Sequence, residues 1–139
     1  MFTSPLQRAR ETCELAGLGA LARADPDLVE WDYGYYEGRR TVDIRSERPG
    51  WSLFDDGCPG GETVDDVVVR ADRVIERARG CPGNVLLFSH RDLLRVLAAR
   101  WIRLSGTEGR RLALDTSAVS ILGYDRDLES RVIRLWNGS

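Results

Sequence analysis

The chain has 139 residues, 42% hydrophobic and 30% charged, which is enough for one core but not for two. Its formal charge of −2 argues against a general affinity for nucleic acid, and its 20 basic residues are all arginine, a bias read as genomic rather than chemical. No apolar run approaches the length that spans a bilayer, and Met1 to Pro5 carry neither the basic nor the apolar part of a signal peptide, so a cytoplasmic location is expected.

Ser4-Pro5-Leu6-Gln7 reads as a helix start, with Ser4 as N-cap and Pro5 at the first helical position. The helix is expected to run to about Ala16 and stop at Gly17. Leu28-Val29 reads as a short strand ending at Glu30, followed by an aromatic segment from Trp31 to Tyr36. A short helix is predicted over Thr41–Glu47 and a glycine-rich loop over 50–62. Thr63-Val64-Asp65-Asp66 is a second capping signal, opening a helix with Val67, Ala71, Val74, Ile75 and Ala78 on one face. The apolar run Asn84 to His90 has the pattern of a strand buried on both faces. Leu93, Leu94, Leu97, Ala98 and Trp101 form a helical stripe behind it, and Ala118–Tyr124 with Arg131–Trp136 predict a terminal hairpin. Helices alternating with strands in this order make an α/β pattern.

Three segments carry candidate chemistry. In Thr3 to Thr12, a strand end feeds a helix N-terminus, and Arg8 in its first turn has the fork geometry that grips phosphate oxygens; a capped surface helix with a solvated arginine reads equally from these residues. In Leu28 to Gly38, the carboxylates Glu30, Asp32 and Glu37 sit among aromatics, where a carboxyl can keep its proton and act as an acid; the alternative is a packed loop whose carboxylates face water. In Leu86 to Arg95, an apolar strand ends in His90 at the carboxyl edge of a sheet, where open α/β folds bind ligands, although a lone histidine also serves structure alone. Cys13, Cys58 and Cys81 are widely spaced, and with a single histidine no metal set forms, so three reduced thiols and no metal are expected.

Taken together, four motifs resemble the histidine phosphatase superfamily, the phosphoglycerate-mutase-like proteins. They are Ser-Pro-Leu-Gln-Arg-Ala-Arg-Glu-Thr (4–12), Leu-x-Glu-x-Asp-x-Gly-x-x-Glu-Gly (28–38), Pro-Gly-Gly-Glu-Thr (59–63) and Phe-Ser-His (88–90), in that order and covering essentially the whole chain. The resemblance implies a single, incomplete domain over 1–139: a three-layer α/β/α fold with a mostly parallel sheet and a C-terminal hairpin, lacking the first central strand. Such a stretch is expected to be marginally stable or to aggregate on its own. The resemblance implies hydrolysis of a small phosphomonoester through a phosphohistidine, with no metal and no other cofactor. Arg8 would hold phosphate oxygens, Glu30 would protonate the leaving alcohol and His90 would stabilise the phosphoryl group in transfer. The family's nucleophile lies in an Arg-His-Gly motif before the Ser-Pro-Leu helix; His90 matches the second histidine instead, so this stretch alone is expected to be inactive. Arg91 stands where the family usually has glycine, and either assists binding of an anionic substrate or marks decay of the site. A non-catalytic remnant that binds a phosphorylated ligand through Arg8, Arg91 and His90 is the second reading. No nucleic-acid or membrane partner is expected, and the oligomeric state is open.

Overall fold

The computed structural model describes all residues from Met1 to Ser139. Phe2–Thr3 (β1) lies in the middle of a three-stranded parallel sheet, flanked by Arg23–Ala24 (β2) and Leu87–Phe88 (β3). The register pairs Thr3 with Ala24 on one side and with Phe88 on the other, so all three strands end at one level. Alternate side chains of a strand point to opposite faces. Phe2 accordingly packs on the main core, while Thr3 lines a cavity of about 280 Å³ together with Cys13 of the helix Gln7–Leu15 (α1).

The face that Phe2 meets is covered by two amphipathic helices, Val64–Arg79 (α4) and Arg91–Trp101 (α5). Val67, Ala71, Val74 and Ile75 of α4 lie at i, i+4, i+7 and i+8, so they form one buried stripe. They pack with Leu93, Val96, Leu97 and Trp101 of α5 and with Leu28, Trp31 and Phe54. The capping expected at Thr63 forms in full: its side chain accepts from the Asp66 N–H and the Asp66 carboxylate accepts from the Thr63 N–H. Helix Thr41–Glu47 (α2) forms as predicted, and Ile44 buries it against Tyr36 and Trp51. Val119–Tyr124 (β4) and Arg131–Gly138 (β5) form the expected antiparallel hairpin as a sheet of their own. Leu122 and Tyr124 tie it to the main core.

Four local expectations are corrected. Helix α1 begins at Gln7 with Leu6 at its N-cap, because the Ser4 hydroxyl is turned inward and fully buried, where it accepts from the Leu6 N–H. Leu28-Val29 is not a strand: Asp25 caps a 3-10 turn over Pro26–Leu28, and the strand lies earlier, at Arg23–Ala24. The 50–62 stretch contains a short helix, Leu53–Asp56 (α3), which Phe54 anchors in the core. The run 84–90 is not buried on both faces; β3 pairs only with β1, so Leu87 and Phe88 are half-covered and Leu86 is exposed.

Candidate active site

Register places the site. Because Thr3 and Phe88 are partners in neighbouring parallel strands, the residues after them leave the sheet side by side. The Ser4 N–H donates to the Phe88 carbonyl at 2.8 Å, and the Ser4 hydroxyl lies 2.8 Å from His90 Nε2. His90 is 7% exposed and occupies the N-cap of α5. Arg8, in the first turn of α1, is exposed, forms no ion pair and stands close enough to act on the imidazole. Burial first, and the Arg8 charge second, hold the proton affinity of His90 below its ordinary value, so the ring is neutral at neutral pH.

The third chain segment arrives from β2. After Ala24 the chain turns through Pro26–Leu28, and the Ser89 hydroxyl pins the turn by donating to the Leu28 carbonyl at 2.6 Å. Glu30 then reaches the start of α5. Its Oε1 accepts the N–H of Trp31 at 2.9 Å and of Leu93 at 3.0 Å, and its Oε2 accepts the N–H of Asp92 at 3.2 Å. Burial, followed by the nearby Asp92 charge, raises the proton affinity of Glu30 above the ordinary carboxylate range, and the three N–H donors only partly offset this.

The loop that carries Glu30 is held by α4. Arg70 donates to the carbonyls of Asp27 and Val29 at 2.7 and 2.9 Å and grips Glu62 with two further bonds. Glu62 accepts the Asp32 N–H at 2.8 Å, closing the link between loop and helix. Gly34 and Gly61 let the two loops touch: a Cβ on Gly61 would collide with the Asp32 carbonyl and one on Gly34 with the Pro59 carbonyl.

Of the four site residues read from the sequence, Arg8 lies near enough to His90 for its charge to act on the imidazole. Glu30 joins them through the first turn of α5 rather than by contact. Arg91 is the first residue of α5; its side chain is exposed and carries no ion pair. In that turn the N–H groups of Asp92 and Leu93 go to Glu30 and that of Leu94 to the His90 carbonyl. Sequence reading missed Ser4 as the partner of His90, since a serine before proline at a helix start signals a cap first. It also passed over Tyr33, Asp92 and Arg70, whose roles depend on contacts 41 to 59 residues apart.

The family model of the histidine phosphatase superfamily (branch 1) matches residues 1–138. The chain belongs to the histidine phosphatase superfamily. Among its relatives in that superfamily, an acid phosphatase of Mycobacterium tuberculosis is 36% identical over 135 residues, covering 96% of this chain and 66% of that protein. A sedoheptulose 1,7-bisphosphatase of Saccharomyces cerevisiae is 36% identical over 130 residues, covering 75% of this chain and 48% of that protein. The histidine phosphatase chain thus spans less than two thirds of the length of these relatives. Its structure is similar to that of the Mycobacterium tuberculosis open reading frame Rv3214, with a TM-score of 0.93, 35% identity, and 99% of this chain and 71% of that one covered. An α-ribazole phosphatase from Shigella flexneri shares the fold at 23% identity, with a TM-score of 0.80 and 99% and 72% coverage.

Proposed function

We propose that this histidine phosphatase domain binds the phosphoryl group of a small phosphomonoester between Arg8 and His90 and serves its hydrolysis, with Glu30 as the acid. The observation that carries the reading is the placement of an unpaired Arg8 beside a buried, neutral His90 at the carboxyl ends of β1 and β3. An anion there meets a guanidinium that can fork two oxygens, the first turns of α1 and α5, and an imidazole able to donate a hydrogen bond. The α1 N-terminus has no side-chain cap, which leaves its first N–H groups free for such an anion. The raised proton affinity of Glu30 suits it to deliver a proton to a leaving alkoxide oxygen, and Oε2, with one accepted bond against two on Oε1, is the oxygen that would carry it. Arg91 adds a cation at the rim, suited to a second anionic group of the substrate. The reading involves no metal and no other cofactor; positioning and charge stabilisation do the work, as in phosphoryl transfer generally.

The transfer of the phosphoryl group to a histidine, followed by attack of water, is the part of the reading that residues 1–139 do not supply by themselves. Their single histidine, His90, takes the charge-stabilising role. The reading therefore separates binding from turnover. Titration calorimetry with inorganic phosphate is expected to show saturable binding, weakened on the order of tenfold or more by Arg8→Ala, the loss of one charged hydrogen-bonding partner. The 139-residue chain by itself is expected not to hydrolyse p-nitrophenyl phosphate. Hydrolysis that survives His90→Ala, or phosphate affinity unchanged by Arg8→Ala, would overturn the site.

A further inference from the structure

Between the proposed acid and the body of the domain lies a second carboxylate that the mechanism leaves unused. Asp92 is 8% exposed, next but one to His90 in the first turn of α5. Its Oδ2 accepts the Tyr33 hydroxyl at 2.5 Å, and its Oδ1 accepts from Arg95 at 3.1 Å. Its own N–H is one of the three that hold Glu30. Tyr33 comes from the loop that carries Glu30, three residues further on, and Arg95 is fixed in turn by the Leu112 carbonyl at 2.9 Å. The guanidinium of Arg95 also stacks on Phe54, 5.0 Å from the ring centre. A bond from loop to helix and a bond within the helix thus converge on one buried side chain, and Arg95 links it onward to the 3-10 segment Gly106–Arg111 and its end.

We propose that Tyr33 and Asp92 are positioning residues for the acid: the Tyr33–Asp92 bond clasps the Glu30 loop to the start of α5 and fixes the Asp92 carboxylate close to the Glu30 carboxyl. The inference rests on the assignment of Glu30 as the acid. A negative charge that cannot move or be solvated away disfavours a second one beside it, so the neighbour holds its proton. Asp92 is fixed in place by two donors, the Tyr33 hydroxyl and the Arg95 guanidinium with which it forms an ion pair. Tyr33 remains a donor throughout, because burial and the bond to Asp92 both raise the affinity of the phenol for its proton.

The other charged groups around Glu30 do not take over this role. Arg95 is spent on Asp92, while Arg70 of α4 approaches only the Glu30 backbone carbonyl, at 3.5 Å, and is paired with Glu62. Asp32, on the same loop, turns its carboxylate to the Gly34 N–H and is exposed. His90 caps the turn and is bonded to Ser4, and Arg91 opens it with an exposed side chain. Cys58, whose thiol burial pushes up to about 11, is uncharged.

The test follows the Glu30 carboxyl carbon by NMR in the full 139-residue chain labelled at glutamate, with Glu30→Gln to assign the signal. In Asp92→Asn the Glu30 midpoint is expected to fall by about one pH unit, the effect of removing a close like charge. In Tyr33→Phe the Asp92 carboxylate is no longer tied to the Glu30 loop, so the Glu30 midpoint is expected to move in the same direction as in Asp92→Asn and by less. With Asp92 already replaced by Asn, Tyr33→Phe is expected to change nothing further. A Glu30 midpoint unmoved by Asp92→Asn would overturn the clasp, and so would a Tyr33→Phe effect of equal size with and without Asp92. Tyr33→Phe alone carries the test should Asp92→Asn fail to fold: a Glu30 midpoint unchanged from the parent contradicts the proposal. None of these readings needs a substrate, so absence of phosphate binding would remove the functional reading and leave this one standing or falling on the titration.

Discussion

Two side chains at the start of α5 have opposite pH responses. His90 has its proton affinity lowered by burial and by Arg8, so the unfolded chain takes up a proton at a higher pH than the folded one. The stability His90 contributes is therefore full above the ordinary imidazole value of about 6.5 and is lost as pH falls from there toward its folded value. Glu30 has the reverse sign, with its proton affinity raised by burial and by Asp92. Its contribution is full below the ordinary carboxylate value and is lost as pH rises through the folded value. Urea unfolding at pH 7.5 and pH 5.5 separates the two. The parent is expected to lose stability over this interval relative to His90→Asn, which has no imidazole to protonate. Parallel profiles for the two proteins would show that burial of His90 carries no such cost.

At the scale of elements, the acid-bearing loop is held by backbone-to-backbone contact rather than by its own secondary structure. The Tyr35 N–H donates to the Pro59 carbonyl at 2.9 Å and the Glu62 N–H to the Asp32 carbonyl at 2.8 Å, across the two facing glycines. Gly61→Ala forces a methyl group against the Asp32 carbonyl and is expected to cost about 2 kcal/mol in urea unfolding. It also displaces Glu62, and with it the grip of Arg70 on the Glu30 loop. Gly80→Ala serves as the comparison: like Gly61, that glycine lies outside the positive-φ region, and a Cβ there meets only ordinary contacts, the nearest at 3.5 Å. Equal losses at the two positions would mean that close packing of the loops contributes nothing. The motif Pro-Gly-Gly-Glu-Thr thereby has a physical content: approach from Gly61, fastening from Glu62 and a helix cap from Thr63.

Across the whole molecule, the elements with strong internal periodicity were legible in the sequence and those set by partners were not. Helix α4, with its buried stripe and its capping box, and the hairpin β4–β5 follow from local pattern alone. The start of α1 was misread because Ser4 has two competing roles, and the buried contact with His90, 86 residues away, wins over the local cap. Leu28-Val29 has the composition of a strand, but Asp25 and Pro26 impose a turn, and Leu28 is buried under α4 rather than paired in the sheet. Arg8 and His90 could be singled out as candidates because each follows the end of a strand at the start of a helix, a position that sequence reveals. Asp92 and Tyr33 were not, because a buried aspartate and a tyrosine hydroxyl gain meaning only when the fold brings residues 59 apart to 2.5 Å. No helix is long and apolar enough to cross a membrane. The central claim is that Arg8 and His90 receive one phosphoryl group together, and the single histidine makes it directly measurable. The measurement is proton NMR of the His90 imidazole over a pH titration, with and without saturating inorganic phosphate. Phosphate is expected to raise the His90 midpoint, because an anion offsets the Arg8 charge and favours the imidazolium, and Arg8→Ala is expected to abolish the phosphate effect. A His90 resonance that titrates identically with and without phosphate would contradict the account.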